Sequence, residues 1–203
     1  MLFLQLSRAL ASSSRITEVL KTDVDLTDEN ASQKDKKVEN GRVEFKNVSF
    51  KYYEKRKENV LENISFTAEP GEIVGIIGTT GSGKSSLVQL IPRLYDVTDG
   101  EVLVDGVNVK DYGLKNLRDG VGMVLQKNVL FSGSIEENLR WGDENATMEE
   151  IRAAADAAQA DGFVNAFTDG YNMELGQGGV NVSGGQKQRL CIARALLKKP
   201  KIL

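Results

Sequence analysis

Residues 78–85 have the types and spacing of a loop that binds phosphate. They read Gly-Thr-Thr-Gly-Ser-Gly-Lys-Ser, which fits the pattern G-x-x-x-x-G-K-[ST]. Glycines let the backbone wrap closely around phosphates, whose charge is met by backbone N–H groups and by the N-terminus of the following helix. The pattern predicts that Lys84 contacts the β- and γ-phosphates of a nucleotide and that the Ser85 hydroxyl ligates Mg²⁺. The predicted nucleotide-binding residues of this segment are Gly78, Thr79, Thr80, Gly81, Ser82, Gly83, Lys84, Ser85 and Ser86.

A second motif, Ser183-Gly184-Gly185-Gln186, follows Val182 and precedes a stretch with helical spacing. Taken alone, the motif is explained equally well by a helix N-cap, in which the serine caps the helix and the glycines loosen its start. Because it lies downstream of a phosphate loop in the same chain, we favour a functional interpretation.

A phosphate loop needs a strand before it and a helix after it, and the sequence predicts both. Residues 72–77 (EIVGII) form an apolar run typical of a buried strand, and residues 84–95 (KSSLVQLIPRLY) have helical spacing. Upstream, alternating apolar residues predict short strands; these residues are Val43 and Phe45, then Val48 and Phe50, then Ile64, Phe66 and Ala68.

Two further helices are predicted downstream. One spans residues 147–160, where Thr147 and Glu150 have the spacing of a capping box. The other begins near Ser183 and continues to residue 197, before Pro200, and residues 201–203 have the composition of the opening of a strand.

The N-terminal part differs in composition from the rest of the chain. Residues 1–21 predict a helix with one broad apolar face, whereas residues 22–41 are polar and charged and predict a linker. The predicted domain therefore comprises residues 42–203.

Composition excludes several functional classes. A net charge of −3 argues against a general nucleic-acid binder, so no nucleic-acid partner is expected. The chain has no histidine, which excludes a Ser-His-Asp or Cys-His mechanism and a His-ligated metal within it. The single cysteine, Cys191, cannot form an internal disulfide, and its apolar surroundings predict a small buried hydrophobic residue in a reducing compartment. The sequence contains no run of about 20 apolar residues, so no membrane span is predicted.

The loop at 78–85 and VSGGQ at 182–186 resemble the Walker A and signature motifs of the ATP-binding cassette (ABC) transporter family. Within this resemblance Tyr52 corresponds to the aromatic residue that stacks on adenine, with Tyr53 as the alternative. Gln126 corresponds to the Q-loop glutamine that touches Mg²⁺ and the attacking water and contacts the membrane domain. The stretch LFSGSIEENLRWG and the opening of the chain resemble the exporter subfamily, in particular one subunit of a heterodimeric bacterial multidrug exporter.

The resemblance implies an α/β fold, with a P-loop NTPase core, an antiparallel β subdomain and a helical subdomain that carries the signature motif. It implies ATP and Mg²⁺ as cofactors, catalytic roles for Lys84 and Gln126, and metal-ligand roles for Ser85 and Gln126. Two such domains would pair head to tail, so that the motif residues Ser183, Gly184, Gly185 and Gln186 contact the ATP held by the partner domain.

The same resemblance places the domain at the cytoplasmic face of the cell membrane, in contact with a transmembrane domain. Residues 1–21 would be the cytoplasmic end of the last transmembrane helix. The sequence departs from the exporter pattern at residues 176–179, Gly-Gln-Gly-Gly, where a glycine, an acidic residue and an arginine are usual.

The family also continues past Leu203 with a Walker B aspartate, a catalytic carboxylate, a D-loop and a switch histidine, and these elements are absent from this sequence. The resemblance thus implies a fragment that binds ATP and does not hydrolyse it efficiently. Two functions stay open: the ATPase domain of an exporter, and the degenerate, mainly ATP-binding half of a heterodimeric transporter. A DNA-maintenance ABC ATPase is disfavoured because no heptads separate the two motifs, and a GTPase because no N-K-x-D motif is present.

Overall fold

The computed structural model describes residues 2–24, 26–53 and 57–203, with side chains from residue 5 onward. In this part of the chain a four-stranded antiparallel sheet has the order β2-β1-β3-β4. Its strands are β1 (Val43–Phe50), β2 (Leu61–Ala68), β3 (Asp99–Val104) and β4 (Val107–Asn108). A two-stranded ladder pairs β5 (Gly133–Ser134) with β6 (Glu174–Leu175). The helices are α1 (Leu2–Leu20), α2 (Lys84–Leu90), α3 (Leu114–Asp119), α4 (Ile135–Arg140), α5 (Met148–Ala157), α6 (Asp161–Asn165) and α7 (Gly184–Leu197).

The central strand β1 forms where alternating apolar residues predict it. Phe45, Val48 and Phe50 are almost completely buried. Phe45 and Val48 are three positions apart, so in a regular strand their side chains would point to opposite faces. A register shift between them keeps both on the buried face. Phe45 also stacks on Phe66 of β2, with ring centroids 4.7 Å apart.

Buried apolar side chains form two clusters, which define a sheet unit and a helical unit. The first cluster packs β1, β2 and β3 against α2 and α3, and its largest members are Phe45, Phe50, Leu90, Tyr112 and Leu117. The second packs α4, α5 and α7 together, and its largest members are Leu130, Ile135, Leu139, Ile151 and Leu190. The antiparallel sheet unit and the helical unit that carries residues 183–186 confirm the predicted fold class.

The helix starts agree with the capping chemistry in the sequence. Thr147 and Glu150 exchange side-chain and backbone hydrogen bonds at the start of α5, as predicted. The helix predicted for residues 1–21 is present as α1, and Met1 lies outside the described residues. From Gln5 to Leu20 every residue of α1 is exposed. Within the described residues, no helix combines the length and apolar character needed to cross a bilayer.

The buried strand predicted for residues 72–77 is wrong. The segment forms no ladder with any described residue, and Ile73 and Ile77 are 97% and 99% exposed. An apolar run supplies side chains for a strand, but a strand also needs a hydrogen-bonded neighbour, and none of the described segments pairs with this one. At the far end of the chain Ile202 makes a single parallel bridge with Val121, in keeping with the strand opening predicted there.

The polar segment 22–41 makes specific contacts with the sheet unit. The Asp28 carboxylate accepts a hydrogen bond from the Leu114 N–H at 2.9 Å, and the Ser32 hydroxyl donates to Asp111 at 2.8 Å. Val38 is 7% exposed and belongs to the sheet core. The division of the chain at residues 21 and 41 stays a prediction, but much of the segment is held against the domain.

Asp105, in the turn between β3 and β4, holds the end of this segment. One carboxylate oxygen accepts from the N–H groups of Glu39 and Asn40 at 2.8 and 3.0 Å, and the other from those of Gly41 and Arg42 at 2.9 and 3.0 Å. Partial burial acts to raise the pKa of Asp105, but the four backbone donors outweigh it and hold the pKa below its ordinary value.

This arrangement predicts a pH-dependent contribution of Asp105 to stability. A lowered folded-state pKa stabilises the fold above the unfolded value of about 3.9, and the contribution is lost as pH falls through the folded-state pKa. We expect Asp105→Asn to lower the free energy of unfolding by about 1–3 kcal/mol at pH 7, and by less near pH 3. Asparagine tolerates the φ of +50° at this position, so the change adds little backbone strain.

Urea unfolding of parent and variant at several pH values measures the difference. Asp169→Asn is the matched control, because the Asp169 side chain is exposed and makes no hydrogen bond or ion pair with the described residues. A stability difference at Asp105 that is the same at pH 7 and pH 3 would contradict the prediction.

Candidate nucleotide-phosphate site

The loop 78–85 adopts a backbone that requires glycine. Gly81 and Gly83 have φ angles of +86° and +85°. Gly83 is also the N-cap of α2, where a Cβ atom would lie 2.8 Å from Leu61 Cδ2 and 3.0 Å from the Val60 oxygen. The last glycine of the motif therefore brings the start of α2 close to β2, in a conformation that other residues rarely adopt.

The Lys84 ammonium lies across the mouth of this loop. It donates to the carbonyl oxygens of Gly78 and Thr79 at 2.8 Å each, and it lies 3.4 Å from the Ser82 hydroxyl. It forms no ion pair with any described carboxylate. The site thus holds a partly exposed positive charge that no carboxylate of the described residues pairs with, at the N-terminal end of a helix.

Ser85, the predicted Mg²⁺ ligand, is exposed, and its hydroxyl makes no hydrogen bond to the described residues. Those residues contain no group of three or more Asp, Glu, Cys or His side chains arranged to hold a metal ion. A single hydroxyl together with nucleotide phosphates is nevertheless a normal setting for Mg²⁺, which keeps several water ligands. The role of Ser85 stays a prediction.

Tyr52 lies beside the phosphate loop. Its hydroxyl oxygen is 2.7 Å from the Ser86 hydroxyl in α2, and its ring meets the rings of Phe50 and Tyr95 edge-on. The side chain is 41% exposed, so part of it faces solvent. The structure therefore connects Tyr52 directly to the helix of the phosphate loop.

The signature motif forms the start of α7. The Ser183 hydroxyl accepts from the Gln186 N–H at 3.3 Å, while the Gln186 side chain accepts from the Ser183 N–H at 2.9 Å. Gly184 and Gly185 are exposed, and a Cβ atom on either would meet nothing within 4 Å. Val182 is 7% exposed and packs in the helical core. Ser183 and Gln186 thus cap α7, while Gly184 and Gly185 leave its N-terminus exposed.

Gln126 is exposed and lies in an irregular segment after Val121. Among the described residues no hydrogen bond joins Gln126 or Ser183 to the loop 78–85. The structure therefore joins Tyr52 to the helix of the phosphate loop by a hydrogen bond, and shows no such bond for Gln126 or Ser183 among the described residues.

Two residues that support the predicted functional segments carry no signal in the sequence: Tyr95 beside Tyr52, and Arg194 beside the segment that contains Gln126. Tyr95 packs against Tyr52, with ring centroids 5.0 Å apart. Arg194 of α7 donates to the backbone oxygens of Val129 and Asn138 at 3.0 and 2.8 Å. Neither residue belongs to a local motif, and only contacts between distant segments identify them.

Cys191 is half-buried beside the helical core, as its apolar surroundings predict. Burial raises the pKa of its thiol, although the nearby Arg194 acts in the opposite direction. A thiol with a raised pKa is a poor nucleophile, which agrees with a packing role.

A glycine-rich phosphate loop opening a helix, with an aromatic residue beside it and a second glycine motif capping another helix, defines the class of nucleotide-binding domains. The family model for the ABC transporter matches residues 61–203. The chain belongs to the ABC transporter family.

Curated relatives are similar over almost the whole chain. The putative multidrug export ATP-binding/permease protein YgaD of Bacillus subtilis is 48% identical over 198 residues, which are 98% of this chain and 34% of that protein. The ATP-dependent lipid A-core flippase of Pseudomonas aeruginosa is 44% identical over 197 residues, 97% of this chain and 32% of that protein. The chain thus spans about a third of the length of these relatives.

Among solved structures, a bacterial Atm1-family ABC exporter with ATP bound has a similar fold. The TM-score is 0.87 at 33% sequence identity, over 98% of this chain and 34% of that one.

Proposed function

We propose that this chain is the nucleotide-binding domain of an ABC exporter and binds Mg-ATP on residues 78–86. The observation that carries the proposal is the Lys84 ammonium, which donates to two carbonyl oxygens and pairs with no carboxylate among the residues that the structure describes. Phosphate oxygens would replace the carbonyls as stronger acceptors, and Ser85 would contribute its hydroxyl to Mg²⁺. Tyr52 would stack on the adenine ring.

The signature motif supports a head-to-tail pair of domains. Ser183 and the N–H groups of Gly184 and Gly185 stand at an exposed helix N-terminus, and among the described residues no hydrogen bond joins Ser183 to the loop 78–85. An anion could therefore reach them from a second domain, and a γ-phosphate bound there would join the two domains. The partner is either a second copy of this domain or a different ABC nucleotide-binding domain.

An exposed apolar surface supports contact with a transmembrane domain. Trp141 is 68% exposed and stacks on Phe131 at 4.8 Å, and Leu125 and Val129 are also more than half exposed. A cavity of about 250 Å³ lies in the same region and is lined by Leu125, Val129 and Trp141 among others. Surfaces of this kind mark interaction sites, and the relative YgaD is named as an ATP-binding/permease protein. We place the domain at the cytoplasmic face of the membrane, where its partner would be the permease part.

The residues assigned to the site predict binding without efficient turnover by this chain. Lys84, Ser85, Gln126 and Ser183 include no carboxylate or imidazole, and an amide cannot accept the proton of the attacking water. We expect the chain to bind Mg-ATP in a calorimetric titration and to release phosphate at a rate close to that of buffer. Full ATPase activity would belong to a longer protein or to a catalytic partner.

Steady-state phosphate release that depends on Lys84 would contradict this prediction. The same two measurements on a longer version of the chain test the alternative of a degenerate half. If that alternative holds, the longer protein also binds ATP and hydrolyses it slowly.

A further inference from the structure

The hydrogen bond between Tyr52 and Ser86 joins two segments that are 34 residues apart. Tyr52 follows β1, and Ser86 lies in the first turn of α2, directly after Ser85. Ser86 is 5% exposed and Tyr52 is 41% exposed. The hydroxyl end of the tyrosine is therefore anchored in the protein while part of the side chain stays accessible.

The surrounding rings complete this anchorage. The hydroxyl oxygen of a tyrosine lies on the axis about which its ring rotates, so a bond to Ser86 fixes the direction of the side chain but not the ring rotation. Phe50 and Tyr95 restrict that rotation, because they contact the Tyr52 ring at interplanar angles of 76° and 88°. The ring is thus held in one orientation before any ligand arrives.

We propose that Ser86 is a positioning residue that holds Tyr52 in place for the base of a nucleotide and couples the base subsite to the phosphate loop. The proposal rests on the proposed function. A ring that is already oriented loses less conformational freedom when it stacks on a base, so the bond should increase the affinity for ATP. It should not affect a ligand that has phosphates but no base.

The test compares Mg-ATP with Mg-tripolyphosphate by calorimetric titration of the full chain. We expect Tyr52→Phe, which keeps the ring and removes the hydroxyl, to weaken ATP binding by roughly 3- to 10-fold and to leave tripolyphosphate binding unchanged. When Ser86→Ala is already present, adding Tyr52→Phe should cause no further loss of affinity for ATP. Ser86→Thr, which retains a hydroxyl, should keep the parent's response to Tyr52→Phe.

Tyr95→Phe is the matched control, because Tyr95 is similarly exposed and its hydroxyl makes no hydrogen bond with the described residues. It should bind both ligands like the parent. Circular dichroism and thermal unfolding of each variant check that the fold is retained.

Three results would overturn the inference: parent-like ATP affinity of Tyr52→Phe, additive losses from the two changes, or an equal loss for tripolyphosphate. Failure of the proposed function has a different signature. In that case the unmodified chain binds neither ligand, or Lys84→Ala binds both as well as the parent does.

Discussion

Lys84→Ala is expected to abolish measurable binding of Mg-ATP, with an affinity loss of at least roughly 100-fold. In the free protein the ammonium bridges the carbonyl groups of Gly78 and Thr79. A triphosphate brings several negative charges to this place, and charge-assisted hydrogen bonds to a lysine are about twice as strong as neutral ones. Removing the ammonium leaves the loop with backbone and hydroxyl donors and without a side-chain charge.

Calorimetric titration with Mg-ATP measures this effect. Lys115→Ala is the matched control, since Lys115 is a highly exposed lysine that pairs with Asp119 on α3, away from the loop. Its ATP affinity should equal that of the parent, because the partner of Lys115 is Asp119 and the loss of such an exposed ion pair changes stability little. Thermal unfolding without nucleotide checks that the Lys84 variant retains its fold. Equal ATP affinity of the Lys84 variant and the parent would contradict the assignment of the loop.

The sequence predicts those parts of the fold whose determinants lie within one helical turn. The capping box of α5 depends on Thr147 and Glu150, three residues apart, and the start of α7 depends on its N-cap serine, Ser183. The phosphate loop is likewise continuous, and Gly81 and Gly83 have the left-handed backbone that glycine adopts readily. Local spacing is sufficient for all three features.

Features that depend on distant neighbours are not predictable in this way. The apolar run at 72–77 has the composition of a buried strand, but burial and pairing depend on segments far along the chain, and the described ones leave it exposed. Conversely, the polar segment 22–41 looks like a free linker, yet Asp28 and Ser32 bind the sheet unit. The composition of a segment limits the structures that it can adopt, and its contacts with distant segments determine which of them it adopts.

The residues of the candidate site also fall into two groups, those that the sequence predicts and those that only the fold identifies. Lys84 and Ser85 follow from the motif, and Tyr52 from the family resemblance. The bond from Tyr52 to Ser86 and the packing of Tyr95 require the relative positions of β1 and α2, which no short pattern contains. A sequence pattern therefore predicts which groups meet the ligand and not which groups hold them in place.

Arg194→Ala is expected to lower the free energy of unfolding by about 3 kcal/mol. The Arg194 guanidinium joins α7 to two other segments: it donates to the Asn138 backbone and side-chain oxygens at 2.8 and 3.0 Å, and to the Val129 oxygen at 3.0 Å. Burial lowers its pKa, but a guanidinium remains protonated at neutral pH. Asn138 is only 2% exposed, so the change leaves its backbone oxygen without the arginine donor in a place that water does not easily reach.

Urea unfolding at neutral pH measures this loss, with Arg15→Ala as the matched control. Arg15 is exposed on α1 and makes no hydrogen bond or ion pair with the described residues, so its replacement should change stability by less than about 0.5 kcal/mol. Hydrogen exchange of residues 126–131 should also become faster in the Arg194 variant, because the guanidinium ties the Val129 carbonyl to the helix that begins at the signature motif. If that segment kept the parent's exchange rates while the protein lost stability, Arg194 would act only within the helical core and not as the link between the segment of Gln126 and α7.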